Sequence, residues 1–111
     1  MKTFLALYMG SPGAGPPPDM SQDEMAKGMK AWGDWMAKNA AVIVHSGGPL
    51  GKTKKVSKSG VSDTSNAVAG FAVVQAESHE AAAHMFEGHP HFAIFPGDSV
   101  EIMEQLPIPG T

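Results

Sequence analysis

The sequence contains neither cysteine nor arginine. The absence of cysteine excludes disulfide bonds, thiolate metal sites and cysteine nucleophiles, and it fits a reducing, cytoplasmic location. Because arginine is missing, the chain lacks the planar donor that recognises phosphate and guanine in a bidentate manner. No nucleic-acid partner is therefore expected. Apolar runs are also far shorter than the roughly 18 residues of a membrane span, so no membrane partner is expected either.

What is present is the composition of an ordinary globular protein, with 42% hydrophobic and 17% charged residues and a net charge of −3. A chain of 111 residues is long enough for one core but too short for separate cofactor and substrate domains. A single domain over residues 1–111 with one pocket at most is expected.

Hydrophobic periodicity and the positions of turn-forming residues predict six helices and strands. A strand over residues 3–9 is followed by a loop rich in proline and glycine over 10–19. Ser21 and Glu24 have the spacing of a capping box, which predicts a helix from Ser21 to about Asn39. The later elements are strands over 41–45, 68–76 and 99–106, an exposed excursion over 52–66 that forms at most a weak hairpin, and a short helix that Ser78 caps and Gly88 ends.

The order βαββαβ predicts an α+β fold in which a four-stranded antiparallel sheet carries two helices on one face. Two of the strands, 3–9 and 68–76, are apolar on both sides, so the uncovered face would expose a large apolar patch. We therefore expect a homodimer in which two sheets pack face to face through an isologous interface.

In the first helix, Met25, Met29, Trp32 and Met36 are spaced so as to form one apolar face, and Trp35 lies on its flank. With the adjacent Met36, the two tryptophans would suit an aromatic ligand cavity. Trp32 is nevertheless typical of a core residue, and Trp35 is expected to meet the loop or the partner chain.

The candidate chemistry rests on histidines, the only side chains here that titrate near neutrality. His89 and His91 flank a proline after the second helix, and His45 ends the second strand beside Ser46 and a Gly47-Gly48 turn. If these loops share one edge of the sheet, the histidines converge with Asp98 around a pocket. Catalytic residues would then be His89, His91 and Asp98, and ligand-binding residues His45, Ser46, Trp35 and Tyr8.

Three alternatives remain open for these histidines. They are ordinary hydrogen-bonding groups in loops or at the dimer interface, or with Asp98 they hold zinc or nonhaem iron, or one of them is a general base oriented by Asp98. The first is favoured, and no metal is assigned. The lysines over 52–58 are typical of a solvated loop, and the glycines at 47, 48 and 51 do not form a phosphate-binding motif. No cofactor is expected.

The sequence resembles the YCII-related family of small proteins. The resemblance spans nearly the whole length and is carried by MKTFLALYMG, AWGDWM, VIVHSGGPLG, VAGFAVVQAES and, most specifically, GHPHFAIFPGDSVEIMEQLPIPG. It implies a ferredoxin-like fold assembled as a dimeric α+β barrel. Some members are proposed to be enzymes that use a histidine and aspartate pair, and one branch is associated with lyase-like chemistry on chlorinated aromatic compounds.

This sequence departs from the family pattern at the expected catalytic pair. Its first helix has no histidine, and His89-Pro90 stands where the better-studied branch resembles Asp-Pro. The family's pair therefore cannot be transferred to this chain. The sequence predicts a small-molecule-binding dimer, with a small lyase or isomerase acting on an aromatic or carbonyl substrate through a loop histidine as the alternative.

Overall fold

A computed structural model describes residues 1–10 and 20–110 of the chain. The predicted loop over residues 10–19, apart from Gly10, lies outside the described residues. In chain order the elements are β1 (Lys2–Met9), α1 (Gln22–Lys38), a 3-10 turn (Ala40–Val42), β2 (Ile43–Pro49), β3 (Thr53–Ser57), β4 (Gly60–Thr64), β5 (Val68–Ala76), α2 (His79–His84), α3 (Pro90–Ala93) and β6 (Ser99–Glu104).

Four strands form the main sheet in the order β2-β5-β1-β6, with every neighbouring pair antiparallel. This is the strand order of a ferredoxin-like fold, and it confirms the predicted four-stranded α+β architecture. Strands β3 and β4 form a separate two-stranded sheet, so the predicted weak hairpin is a regular one. Its turn uses Gly60 at a φ of +110°, a conformation that favours glycine.

The helices cover one face of the sheet, and the core lies beneath them. Phe4, Ala6 and Tyr8 of β1 alternate with half-buried neighbours, as the period of a strand requires. They pack with Ala72 and Val74 of β5, and the helical layer supplies the rest of this core with Ala82, Phe86 and the partly buried Trp32, Trp35 and Met85.

Helix α1 begins as predicted but buries a different face. The Ser21–Glu24 capping box is present in both directions. Met25 and Met29, however, are 46% and 60% exposed, so the predicted apolar face is wrong at its first two positions, whereas Trp32 and Met36 are half-buried as predicted. The buried face is instead centred on Gly28, where the Phe95 ring packs so closely against the helix that a Cβ would lie 2.5 Å from it. Trp35, predicted on the flank, is part of this face.

Two boundaries around the candidate site also differ from prediction. Strand β2 begins at Ile43 and runs through Gly47 and Gly48, which were predicted to form a turn. Gly47 adopts a φ of +67° in an irregular stretch opposite Phe71, where a backbone without a side chain approaches the neighbouring strand closely. After α2, residues 90–93 form the short helix α3 rather than the predicted loop, since Pro90 occupies a first-turn position.

The other face of the sheet carries no helix in the described part of the chain. Leu5, Leu7, Phe71 and Val73 are half-buried there, while Met103 is 43% exposed. We refer to this surface, completed by Glu101 and His45, as the open face. Its apolar character agrees with the sequence pattern. No helix within residues 1–10 and 20–110 combines the length and apolar character needed to cross a bilayer.

Candidate functional site

His89 is completely buried and serves as the N-cap of α3. Its Nδ1 accepts a hydrogen bond from the His91 backbone N–H at 3.0 Å. An accepting Nδ1 is unprotonated, so in the neutral ring the proton is on Nε2. That Nε2 has no hydrogen-bond partner among the described residues. A buried N–H without a partner costs about 1–3 kcal/mol, and such groups need an explanation when a native fold retains them.

Aromatic rings surround this imidazole. The centroids of Trp32 and Trp35 lie 4.6 and 4.7 Å from that of His89, both near perpendicular to it, and Phe86 is stacked at 5.6 Å. Tyr8 completes the enclosure at 5.2 Å. Edge-to-face packing brings ring hydrogens onto the negative face of the neighbouring π-system, which offers a weak substitute for a hydrogen bond. We call His89, His91 and these four rings the histidine cluster.

The cluster holds His89 and Tyr8 in their neutral forms. Burial, and to a smaller extent the nearby His91, lower the pKa of His89 from 6.5 to about 4. Burial also raises the pKa of Tyr8 to about 12. At neutral pH, His89 is therefore an uncharged N–H donor rather than a base, and Tyr8 is an uncharged phenol.

His91 is fixed in the complementary way. Its Nε2 donates to the Met9 carbonyl oxygen at 2.8 Å, so Nδ1 holds the unshared electron pair of the neutral ring. Gly97 packs against this ring so closely that a Cβ would lie 2.4 Å from two of its atoms. The Gly97 N–H also donates to the His91 carbonyl at 2.9 Å. The position of His91 is thus set by β1 on one side and by the segment before β6 on the other.

The backbone of Asp98 is hydrogen-bonded to the Met9 carbonyl oxygen, the same acceptor that His91 uses. Its N–H donates to Met9 O at 2.9 Å, and its carboxylate accepts from the Ser99 hydroxyl at 2.9 Å. The side chain is exposed and makes no hydrogen bond or ion pair with a histidine among the described residues. Asp98 and His91 therefore share an acceptor without forming a histidine–carboxylate pair.

A surface cleft of about 270 Å³ lies beside Asp98, between the end of α2, α3 and the start of β6. Phe86 and Phe92 provide aromatic wall, whereas Asp98, Ser99 and Glu87 provide polar groups. Phe86 also belongs to the histidine cluster, so the ring that stacks on His89 lines the cleft as well. Ala83 and Val100 complete the lining.

His45 and Ser46 do not join this arrangement. His45 pairs with Val73 in the sheet and stacks on Phe71 at 5.7 Å, which places it on the open face, across the sheet from the cluster. Its Nδ1 accepts from the Gly47 N–H at 2.8 Å. Ser46 is exposed beside it. The structure thus brings together His89, His91, Tyr8 and Trp35, with Asp98 adjacent, and separates the other two predicted residues from them.

No group of three or more histidine, aspartate or glutamate side chains within residues 1–10 and 20–110 is placed to hold a metal ion. The metal site considered from the sequence, three histidines with Asp98, is divided between the two faces of the sheet.

Trp35, predicted as a ligand-binding residue, makes a hydrogen bond within the fold. Its Nε1 donates to the Met85 carbonyl oxygen at 2.8 Å and so connects α1 to the end of α2.

The sequence prediction did not name the residues that line the cleft beside Asp98, notably Phe86, Phe92 and Glu87. Trp32, which the sequence indicated as core or as part of an aromatic cavity, packs against the core and is also a wall of the cluster. The signal for Phe92 was its position directly after His91, because a short helix begun at Pro90 presents an exposed aromatic ring beside the histidines.

Neither a scan against protein-family models nor a search of curated proteins finds a match to this chain. Among solved structures, the fold is similar to that of 5-chloro-2-hydroxyhydroquinone dehydrochlorinase from Burkholderia phenoliruptrix in complex with 2,5-dihydroxybenzoquinone. The alignment has a TM-score of 0.56 and 18% sequence identity, and it covers 94% of this chain and 93% of the other. At this identity the similarity concerns the fold. It extends over nearly the whole length of both chains.

Proposed function

We propose that this chain is a YCII-related, single-domain protein that binds a small organic molecule as a homodimer, and that the ligand occupies the cleft between α2, α3 and β6. The observation that carries the proposal is the composition of that cleft. Two aromatic rings, Phe86 and Phe92, stand opposite the polar groups of Asp98 and Ser99. An apolar wall with a few convergent polar groups is typical of small-molecule sites.

The volume and chemistry of the cleft favour a flat, oxygen-bearing ligand. About 270 Å³ accommodates a single substituted ring, and the Asp98 carboxylate is an acceptor suited to a ligand hydroxyl. The structural neighbour is described in complex with 2,5-dihydroxybenzoquinone, a molecule of this type. Hydroxylated benzoquinones and hydroquinones are therefore the first compounds to test.

The homodimer is proposed from the open face. Leu5, Leu7, Phe71 and Val73 form a contiguous apolar surface across β1 and β5, and exposed patches of this kind mark interfaces. Two such faces packed across a twofold axis would form the dimeric α+β barrel that the YCII resemblance implies. His45 would then be an interface residue.

Binding is favoured over catalysis because of the state of the histidines. His89 carries its proton at neutral pH on a buried nitrogen, and the Phe86 ring of the cleft stacks on this imidazole. One observation supports the alternative, a lyase or isomerase. Because Nε2 of His91 donates to the Met9 carbonyl, Nδ1 is the acceptor nitrogen of the neutral tautomer and would be the base if a ligand reached it.

The test is a titration of ¹⁵N-labelled protein with 2,5-dihydroxybenzoquinone and substituted hydroquinones, followed by chemical shifts. We expect shifts centred on residues 83–100 and an affinity that falls roughly tenfold in Phe92→Ala and in Asp98→Asn, because each loses one ligand contact. Asp63→Asn in the hairpin is the matched control and should bind normally. Shifts confined to the hairpin base, where a second cleft of about 370 Å³ lies, would contradict the proposal.

Turnover distinguishes the alternative. If the same compounds are converted and His91→Gln abolishes conversion while binding persists, the enzyme function replaces the binding one. If no conversion occurs in wild type, the binding function stands.

A further inference from the structure

The hairpin formed by β3 and β4 projects from the rest of the molecule. The two strands pair with each other and with no other described strand. The molecule measures 49 × 37 × 18 Å, and its radius of gyration of 15.7 Å exceeds the roughly 13 Å expected for a compact chain of this length. We call residues 53–64 the arm.

One face of the arm is apolar and exposed. Val56 and Val61 are direct cross-strand neighbours, and they remain 76% and 70% exposed. Lys54 and Asp63, the next pair on that face, form an ion pair. A two-stranded hairpin is marginally stable in water unless it packs against another element. A regular arm with an exposed valine pair therefore lacks a packing partner within the described part of its own chain.

Charge indicates what that partner is. Residues 52–66 contain four lysines and one aspartate, a net charge of +3, whereas the whole chain carries −3, so all other residues together carry −6. Lys52, Lys55 and Lys58 make no ion pair with any described residue. The body of a second copy thus has a net negative charge that complements the arm, and twofold symmetry would form each contact twice.

We propose that the arm of one copy clasps a second copy at the β6 margin of its open face. Strand β6 is an edge strand, and on the open face it presents Met103, which is 43% exposed, and Glu101, which makes no ion pair with a described residue. The valine pair packs against Met103, and Lys58, in the turn of the arm, approaches Glu101. The inference rests on the homodimer of the proposed function and names a contact which that dimer does not require.

The first test replaces the valine pair. Val56→Thr/Val61→Thr keeps the β-branched shape and strand preference of both residues but makes the face polar. We expect the dimer dissociation constant, measured by sedimentation equilibrium, to rise roughly tenfold to a hundredfold, since two arms each lose apolar contact. Ser57→Thr/Ser62→Thr on the opposite face of the arm is the matched control and should leave the constant unchanged.

The second test exchanges charges. Lys58→Glu in the turn of the arm and, separately, Glu101→Lys should each weaken the dimer, and the weakening should diminish as salt is added. Combining them should recover most of the lost affinity, which general destabilisation of the arm would not do.

The outcomes separate the two proposals. A wild-type dimer whose dissociation constant is insensitive to the valine substitutions overturns the arm contact and leaves the dimer intact. A wild type that stays monomeric at about 100 μM overturns both the arm contact and the homodimer. Binding in the cleft is read independently by the ligand titration, because none of the substituted residues lines that cleft.

Discussion

Residues of the same type differ in burial between the two faces of the sheet. Beneath the helices, Phe4 and His89 are fully buried, and the imidazole is enclosed by four aromatic rings. On the open face, Phe71 and His45 also stack, but His45 remains exposed. Because strands β1 and β5 contribute nearly equal apolar character to both sides, the difference arises from what covers each side. The covered face stabilises the single chain, whereas the open face is available to a second one.

The largest effect that would sharpen this comparison is the loss of matched phenylalanines. Phe4→Ala should lower the free energy of unfolding by about 3–5 kcal/mol at any protein concentration, because it leaves a cavity in the core. In dilute solution, Phe71→Ala should lower the free energy of unfolding by less than about half of that amount, because the Phe71 ring is already partly solvated. Denaturant unfolding at several protein concentrations measures both.

In the proposed dimer, the penalty of Phe71→Ala should grow as concentration rises and the two faces associate. Equal, concentration-independent costs for the two substitutions would show that the open face is not an interface.

The next effect is the pH dependence of stability that arises from the buried His89. The pKa of His89 is about 4 in the folded chain and 6.5 as its ordinary value, so the unfolded state binds more protons between these limits. Its contribution is therefore fully present above pH 6.5 and is lost as the pH falls towards 4. The loss approaches about 3 kcal/mol.

Urea unfolding of wild type and His89→Phe across pH 4–7 measures this contribution, since phenylalanine keeps the ring but does not titrate. The difference in their stability should shift steadily with pH. A pH dependence that persists in His89→Phe would assign the titration to another group.

A smaller effect is expected at the glycine that supports His91. Gly97→Ala should destabilise by about 1–3 kcal/mol, because the new Cβ meets the His91 ring and the backbone can relieve the overlap only by moving. Gly33→Ala in α1, where a Cβ meets nothing within 4 Å, should instead be neutral or stabilising by up to about 1 kcal/mol. Thermal unfolding compares the pair, and similar destabilisation in both would contradict the packing described around His91.

Much of the fold was predictable because local rules and tertiary packing agree. Ser21 with Glu24 placed the start of α1, and the apolar alternation of residues 68–76 placed β5. The buried face of α1 was not predictable from spacing alone. Methionine spacing favoured one stripe, but Gly28 lets Phe95 approach the helix, and that contact rotates the buried face towards Trp35. Tertiary contacts decide between two nearly equivalent faces.

The candidate site was predictable in part for a similar reason. His89 and His91 lie together because they are two positions apart in the sequence. His89 caps the helix that Pro90 begins, and His91 is its second residue. The placement of His45 depended on the strand period: β2 extends past it with irregular pairing, so its side chain points to the open face. A shift of one residue in a strand reverses the face, and spacing cannot resolve it.

The carbonyl oxygen of Met9 has a consequence for communication within the molecule. It accepts from the His91 ring and from the Asp98 amide at once, so a single atom joins the wall of the cleft to the interior imidazoles. A ligand that displaces Asp98 by even a few tenths of an ångström alters the geometry of the acceptor on which His91 depends. Occupancy of the cleft would then be reported by the ring resonances of a histidine that the ligand never touches.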